Sequence, residues 1–459
     1  MKTINSFLTL KGSNLKFLYF LILCLTYLII HISPSLILPN QPDSSTYTDF
    51  DMTRTSIYPY VIDILENFNI DLFFFQKLLL SSSIVFLIYS LAIRKVNVNF
   101  IILFFLGLTL NFFYTSFSKT ILTESIFFSF INISFAIFIL GKHKNFLFNF
   151  LLGISIGLII TIKSIGFSIG ITLTIVLFIF FFKEKLYKNF FVIVFGLLFV
   201  VCLENFLFFK NHNQRKSVLP IAIVGKVFFL SGNDSFNIKN FPEKFIDIIA
   251  ESKSSFKPVL LFLKKINNPI LKADLTADYE VVAQYQFLKF KTPVAKKFNE
   301  RNIFDHSYEL LIPLLKYNFK EYFILSLTHY FGMWSTNSKE IFLKHYLEKN
   351  LIKQPLEQEF QNASGGIKKI NLKLLIFVQL LFLGLFLFFT FLTIYSIYLV
   401  FKRKFFENIY VITLIISSQV YLVLTSFANV ATIRYLMPIY PLILLSLIFF
   451  ISSLKKRLI

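Results

Sequence analysis

The sequence predicts an all-α integral membrane protein of about ten transmembrane helices, with an acidic first outer loop and one long outer loop. Three observations lead to this prediction: the composition, the spacing of the apolar runs and the positions of the cations. Of the 459 residues, 56% are hydrophobic and 63 are phenylalanine. A soluble protein with that content would aggregate, so the composition indicates a chain that lies in a membrane.

The apolar runs are long enough to cross the hydrocarbon core, which takes roughly 17 or more helical residues. The first run is longer than a signal-peptide core and has no small-residue cleavage pattern, so we interpret it as a retained anchor. Between the fifth and sixth runs, one interrupted segment and two half-spans that meet at Lys163 both fit. The predicted spans are 17–38, 72–93, 100–117, 121–140, 146–162, 164–182, 190–209, 373–400, 408–427 and 435–453.

The lysines and arginines between the runs predict how the helices are oriented. Cations follow every even-numbered run, whereas the short odd-numbered exits contain far fewer. By the positive-inside rule, both termini are cytoplasmic and residues 39–71, 210–371 and 428–434 lie outside. The cations after the even runs are Arg94, Lys95, Lys142, Lys144, Lys183, Lys185, Lys188, Lys402, Arg403, Lys404, Lys455, Lys456 and Arg457.

The net charge of +21 comes largely from these loop cations, so we expect no nucleic-acid partner. Cys24 and Cys202 both lie within apolar runs, where they act as small hydrophobic residues, and no disulfide framework is expected. The abundance of Phe, Lys and Ile is typical of an AT-rich bacterial genome. We therefore expect a multi-pass protein of the bacterial inner membrane.

Three regions follow from the distribution of the spans. They are an N-terminal transmembrane domain (1–209) that contains the acidic loop 39–71, an extracytoplasmic region (210–371), and C-terminal transmembrane helices (372–459). The stretch 312–334 has helical spacing of apolar residues. It is either an interfacial or re-entrant pair with Tyr322, Tyr330 and Trp334 at the lipid headgroups, or an amphipathic helix of a small outer domain.

Charged residues on the predicted outer side come from four separate turns of the chain. Ionisable groups at membrane depth are costly and tend to be functional, so one cavity lined by all of them is a candidate site. They are Asp43, Asp49, Asp51 and Arg54 in the first outer loop, Glu124 after the third span, Lys163 between the fifth and sixth spans, and Arg434 before the last span.

This set of side chains suits the transfer of a sugar from a lipid phosphate. A carboxylate takes the proton of an acceptor hydroxyl as general base, and Lys and Arg stabilise the departing phosphate. Carboxylates together also hold a divalent cation. Each residue has a structural alternative: Asp43 as a turn residue, Glu124 as a helix cap, and Lys163 and Arg434 as cations that reach lipid headgroups.

Five short motifs in a fixed order resemble the C-type (GT-C) superfamily of polytopic membrane glycosyltransferases. These include protein O-mannosyltransferases and the bacterial aminoarabinose transferases that modify lipid A. The motifs cover about a tenth of the chain, whereas the span pattern covers most of it. They are "PDSxxY" from residue 42, "RTxxYP" from 54, "LTES" from 122, "GxxxGLxxxxK" from 153 and "RYLMPIYP" from 434.

The resemblance implies roles for individual residues. An acid of the first outer loop is catalytic in that family, which points to Asp43, with Asp51 the next candidate and Glu124 the second acid. Lys163, Arg434 and Tyr435 match positions that bind the donor phosphate, although relatives commonly have Arg where this chain has Lys163. The remaining candidates, for sugar or loop contacts, are Tyr47, Arg54 and Tyr58.

The resemblance also implies a substrate class. The donor is a polyprenyl-phosphate sugar, and the acceptor is a hydroxyl of a lipid, glycan or protein on the extracytoplasmic side. Asp43 and Glu124 are the candidates for holding a divalent cation, Mg or Mn. Only six residues separate Tyr47 from Arg54, where many relatives have a longer insertion, so the family positions of Asp49 and Asp51 are not fixed.

Two other classes of protein share the general pattern. A transporter or lipid flippase also has many spans, but such proteins usually have internal repeats and charges near the midplane. An O-antigen polymerase or ligase also has a large outer loop, but it relies on arginine-rich outer loops, whereas the first outer loop here is acidic.

Overall fold

The computed structural model describes residues 13–41, 43–289, 296–297, 306–336 and 372–457. These residues form helices and no β-strand, which confirms the predicted all-α class. Pro42 and much of the predicted long loop (290–295, 298–305 and 337–371) lie outside the described residues.

The described residues form nineteen α-helices. In chain order they are α1 (Ser13–Ile32), α2 (Ser44–Thr48), α3 (Ile57–Asn67), α4 (Leu72–Ile93), α5 (Val98–Thr109), α6 (Phe112–Ser116), α7 (Glu124–Leu140), α8 (Phe146–Ile162), α9 (Gly166–Lys183), α10 (Tyr187–Asn211), α11 (Leu219–Ser231), α12 (Glu243–Lys264), α13 (Pro269–Lys289), α14 (Leu311–Tyr317), α15 (Phe319–Gly332), α16 (Leu372–Phe401), α17 (Ile409–Ala428), α18 (Ile433–Leu436) and α19 (Tyr440–Arg457).

Within the described residues, six helical segments are long and apolar enough to cross a membrane, which supports a multi-pass membrane protein. They are Leu72–Ile93, Gly166–Lys183, Tyr187–Asn211, Ile376–Phe401, Phe406–Ala428 and Ile433–Ser453. Three shorter apolar helices (Lys16–Ile32, Glu124–Leu140 and Phe146–Ile162) coincide with predicted spans. The total of about ten spans therefore stays a prediction.

The third predicted span is broken. Helices α5 and α6 meet at an angle of 54° around Asn111, and together they would make a seventh span. The Asn111 side chain accepts hydrogen bonds from the amides of Phe113 and Tyr114, which begins a new helix instead of continuing α5. The chain then passes through a short turn to Glu124, the first residue of α7.

The helices α8 and α10 pack closely through glycines. Gly153 and Gly157 on α8 face α10, and the carbonyl oxygen of Ile193 occupies the space that a β-carbon on Gly153 would need. A β-carbon on Gly196 of α10 would lie 2.6 Å from the carbonyl oxygen of Phe150. Small residues spaced by four let membrane helices approach this closely. The two glycines of the "GxxxGL" motif therefore have a packing role.

A second apolar core lies beside the membrane bundle. Helices α11 to α15 surround it with side chains that include Phe228, Phe256, Leu275 and Leu314. Helix α15 turns one face toward this core and exposes Phe319, Phe323, Leu327 and Phe331 on the other. An exposed apolar face beside membrane helices favours the interfacial placement of 312–334.

Two of the aromatic residues that were predicted to lie at the lipid headgroups are buried instead. The exposed fractions of Tyr322 and Trp334 are only 7% and 5%, so neither side chain is available to lipid headgroups. The Tyr322 hydroxyl donates to the carbonyl oxygen of Phe427, and the Tyr330 hydroxyl donates to Gln419. These aromatic residues join α15 to α17, because a buried tyrosine needs a hydrogen-bond partner for its hydroxyl.

Adding one methyl group at Gly153 tests the close packing of α8 and α10. Gly153→Ala should destabilise the protein by about 1–3 kcal/mol, because a backbone carbonyl cannot move away easily. Gly384→Ala is the control, since no atom lies within 4 Å of its would-be β-carbon. Thermal unfolding in nanodiscs should show a loss for the first variant only. Equal stability of both variants would contradict the packing role.

Candidate functional site

The first loop is joined to the turn before α7, and this brings the predicted site residues together. The Ile121 amide donates to the carbonyl oxygen of Pro39 (3.0 Å), and the Ser44 hydroxyl donates to the carbonyl oxygen of Ile121 (2.9 Å). Asp43 therefore lies beside the turn that leads into Glu124. Residues 33–71, 117–123 and 429–436 meet at one end of the bundle. We call this end of the bundle the loop end.

Five of the predicted residues form one ion cluster at the loop end: Asp43, Arg54, Glu124, Lys163 and Arg434. The Lys163 ammonium group lies 2.6 Å from Glu124 Oε1, and Arg434 Nε also bonds to that oxygen. A second nitrogen of Arg434 lies 3.0 Å from Asp43 Oδ2, and Arg54 lies 3.1 Å from Asp43 Oδ1. Arg434 thus bridges the two carboxylates.

Helix ends position the two cations of the cluster that come from the membrane helices. Lys163 follows the last residue of α8 in an extended conformation, so its side chain leaves the helix axis and reaches Glu124. Arg434 lies in the single turn of α18, after Thr432, whose backbone is extended. Both arrangements break a helix at the loop end, where a ligand headgroup could enter.

Aromatic rings support the cations. The Arg54 guanidinium lies 4.7 Å from the ring centroid of Tyr47, and the Lys163 ammonium lies 5.2 Å from that of Tyr435. Tyr58 lies deeper, fully buried, where its ring packs edge-on against Tyr47 and its hydroxyl accepts from Gln76. Tyr58 therefore supports Tyr47 from beneath.

The cluster has one more cation than it has carboxylates. Arg54, Lys163 and Arg434 face Asp43 and Glu124, so the five side chains sum to a single positive charge. Several buried polar atoms at the loop end also have no hydrogen-bond partner among the described residues. They are Glu124 Oε2 and the hydroxyl groups of Thr123 and Thr432. Unsatisfied buried groups are costly, so their grouping indicates a place for a polar ligand.

The two acids of the cluster differ in exposure. The Glu124 side chain is completely buried, whereas 28% of the Asp43 side chain is exposed. Burial raises the pKa of Asp43, but the positive charges of Arg434 and Arg54 together lower it by more than burial raises it. The pKa of Asp43 therefore lies below its ordinary value of 3.8. Asp43 is therefore an ionised and accessible carboxylate, and Glu124 is the acid that binds the two membrane-helix cations.

Asp51 and Asp49 are placed differently from Asp43. The Asp51 carboxylate accepts hydrogen bonds from the amide (2.7 Å) and the hydroxyl (2.6 Å) of Thr53, which closes a local turn. Asp49 is exposed and accepts from the Thr48 hydroxyl at 3.3 Å. Of the three loop aspartates, Asp43 is the one that the structure joins to Glu124 through Arg434.

The donor set fits a divalent cation poorly. Both oxygens of Asp43 and one oxygen of Glu124 already contact cationic side chains. Two more positive charges would be added to a cluster that is already positive, with few hard oxygen ligands left to hold them. The described residues also contain no group of three or more His, Cys, Asp or Glu side chains arranged for a metal.

The first loop is anchored by an acid that none of the sequence motifs contains. Glu204 of α10 is buried and accepts hydrogen bonds from the amides of Ser56 and Ile57 and from the Ser56 hydroxyl. Arg215 pairs with the same carboxylate at 3.0 Å. A carboxylate suits the amides at the start of α3, because they have no partner within the helix. Its position in the apolar run "VVCLENF" was the signal that could have found it.

Comparisons with protein-family models, with curated proteins and with solved structures find no match to this chain.

Replacing Glu204 with Gln tests the loop anchor. Gln has the same size, but its NH₂ group would face amides that need an acceptor, so the loss should be about 1–3 kcal/mol. Limited proteolysis in nanodiscs should cut within residues 39–56 several times faster than in the wild type. Glu66→Gln is the control, since Glu66 is exposed at the end of α3. An unchanged cleavage rate in Glu204→Gln would contradict the anchoring role.

Proposed function

We propose that this chain is a membrane glycosyltransferase of the GT-C type. It transfers a sugar from a polyprenyl-phosphate donor to an acceptor hydroxyl of a lipid, glycan or protein. The loop end is the extracytoplasmic side, with both termini in the cytoplasm of a bacterial cell. The observation that supports this proposal most is the positive cluster of five ionised side chains beside unpaired polar atoms.

Each group of the cluster has a part in the reaction. The acceptor hydroxyl oxygen attacks the anomeric carbon, and the bond from that carbon to the phosphate oxygen breaks. The hydroxyl proton passes to Asp43, the accessible carboxylate. Arg434 and Lys163 donate hydrogen bonds to the phosphate as it leaves and gains a second negative charge. The Tyr435 ring holds Lys163 in position, and the Tyr47 ring holds Arg54.

The charge balance supports a phosphate donor. A polyprenyl-phosphate sugar is a phosphodiester with one negative charge, which neutralises the single excess positive charge of the cluster. After transfer, Asp43 holds a proton and the polyprenyl phosphate has two negative charges, so the sum remains zero. A buried site avoids a large desolvation cost when its total charge stays constant through the reaction.

The ion pairs change what alanine substitutions can test. Lys163 and Arg434 both compensate the buried charge of Glu124. Removing either would leave that carboxylate under-compensated, which typically costs several kcal/mol of stability. Loss of donor binding in such a variant would not by itself identify a phosphate contact. The accessible partners of the cluster are the better test positions.

Neutralising Asp43 tests the general base. Asp43→Asn keeps the size of the side chain but cannot accept the proton, so the transfer rate should fall by about a hundredfold to ten-thousandfold. The measurement is single-turnover transfer from a labelled polyprenyl-phosphate monosaccharide by purified protein in nanodiscs. Asp49→Asn, on the same loop, is the control and should remain active.

Three outcomes of that experiment would reject part of the proposal. Full activity of Asp43→Asn with an inactive Asp51→Asn would move the base to Asp51. Movement of the labelled lipid across the bilayer without transfer would indicate a flippase. Growth of a chain from a diphosphate-linked oligosaccharide would indicate a polymerase.

The pH dependence tests the pairing of Asp43 with Arg54. Activity should be lost as the pH falls through the pKa of the base, and in the wild type that limb should lie below about pH 4 because Arg54 and Arg434 keep Asp43 ionised. Arg54→Gln removes one of these charges, so the pKa of Asp43 should rise and the limb should move to higher pH. Arg54→Lys keeps the charge and should leave the limb close to that of the wild type. An acid limb that Arg54→Gln does not move would assign the base to another residue.

A further inference from the structure

A buried group of ionisable side chains lies outside the candidate site and joins α11, α13 and α15 through Lys226, Glu280 and His329. The exposed fractions of Lys226, Glu280 and His329 are 2%, 0% and 0%. Lys226 lies 3.0 Å from Glu280 Oε1, and His329 Nε2 lies 2.5 Å from Glu280 Oε2. The Gln284 amide donates to the same carboxylate at 3.1 Å. Burying three such groups is costly, and apolar side chains would fill the same core without that cost. The presence of ionisable groups there therefore points to a role other than filling the core.

The second ring nitrogen of His329 reaches the membrane bundle. The amide of Ala431 donates to His329 Nδ1 at 3.3 Å. A ring nitrogen that accepts a hydrogen bond has no proton of its own. In the neutral ring Nε2 therefore carries the proton and donates a hydrogen bond to Glu280. Burial lowers the pKa of His329 below its ordinary value of 6.5, which favours this neutral ring. Lys226 and Glu280 therefore fix the tautomer that Ala431 requires.

Ala431 belongs to the connection that carries Arg434. Residues 429–432 link α17 to α18, and we call them the strap. Helix α15 contacts the strap and the last turn of α17 before it in three ways. Tyr322 donates to the carbonyl oxygen of Phe427 (2.8 Å), His329 accepts from Ala431, and a β-carbon on Gly332 would lie 2.8 Å from that of Ala431.

We propose that His329 is a positioning residue: by accepting from the Ala431 amide, it holds the strap so that Arg434 bridges Asp43 and Glu124. The effect on transfer rests on the proposed function, whereas the effect on the strap does not. The amide of Ala431 bonds to a side chain of another helix and not to a neighbour in the strap. The hydrogen bond from Ala431 to His329 thereby links the region of α11 to α15 to the segment that carries Arg434.

Two substitutions separate the two nitrogens of the ring. His329→Asn keeps an acceptor near the position of Nδ1 but loses the bond to Glu280. His329→Gln keeps an amide donor near the position of Nε2 but removes the acceptor for Ala431. Ser326→Ala is the control, because Ser326 is buried one turn earlier in α15 and its hydroxyl bonds only within that helix.

The first measurement is amide hydrogen exchange of residues 429–434 in nanodiscs. Exchange should be about tenfold faster in His329→Gln and close to wild type in His329→Asn and Ser326→Ala. Exchange in α12 reports whether the second apolar core remains folded. If that core loosens in His329→Gln, Gly332→Ala provides the second test, since it displaces Ala431 and leaves the three ionisable residues intact. Strap exchange that changes in neither variant would overturn the inference.

The second measurement is kcat for sugar transfer at saturating donor and acceptor. His329→Gln should lower kcat by about ten- to hundredfold, as expected for a displaced Arg434, and His329→Asn should recover most of it. A faster-exchanging strap with an unchanged kcat would overturn the positioning role. If strap exchange is faster in His329→Gln but the wild-type protein transfers no sugar, the proposed function is rejected and the contact between α15 and the strap remains established.

Discussion

Glu124 is a fully buried carboxylate whose charge has to be compensated by cations from other parts of the chain. Moving a carboxylate out of water costs several kcal/mol even after relaxation, and removing one partner of such a pair is strongly destabilising. Lys163 at the end of α8 and Arg434 before α19 therefore have to converge on the start of α7. This requirement fixes how three separate helices meet at the loop end.

The loop is joined to that centre by a second layer of contacts. Arg434 extends from Glu124 to Asp43, and Arg54 holds the other oxygen of Asp43. Glu204 accepts hydrogen bonds from the start of α3 and so anchors it. Glu204 also pairs with Arg215, which follows it by eleven residues. Because most of these groups lie in a low-dielectric interior, their fields are strong and their orientation is fixed before a ligand arrives. A slightly positive site of this kind suits the phosphate of the proposed donor, which would gain a second negative charge during the proposed transfer.

The sequence predicted the helices well where they are long and apolar, as in α4, α9, α10 and α16, because a bilayer-length apolar run has few alternatives. It also identified Asp43, Glu124, Lys163 and Arg434 as neighbours, since all four follow or precede spans on one predicted side. It could not choose between Asp43 and Asp51, because that choice depends on which carboxylate Arg434 reaches. Glu204, Glu280 and His329 were missed because their partners lie far away along the chain.

The most direct test of the account is the structure of the protein in nanodiscs with a non-cleavable phosphonate analogue of a polyprenyl-phosphate sugar. We expect the phosphonate oxygens within hydrogen-bond distance of Arg434 and Lys163, the sugar beside Asp43, and the unpaired oxygen of Glu124 or the hydroxyl of Thr432 bonded to the ligand. An analogue bound away from the loop end, or one whose phosphonate contacts neither Arg434 nor Lys163, would contradict the account.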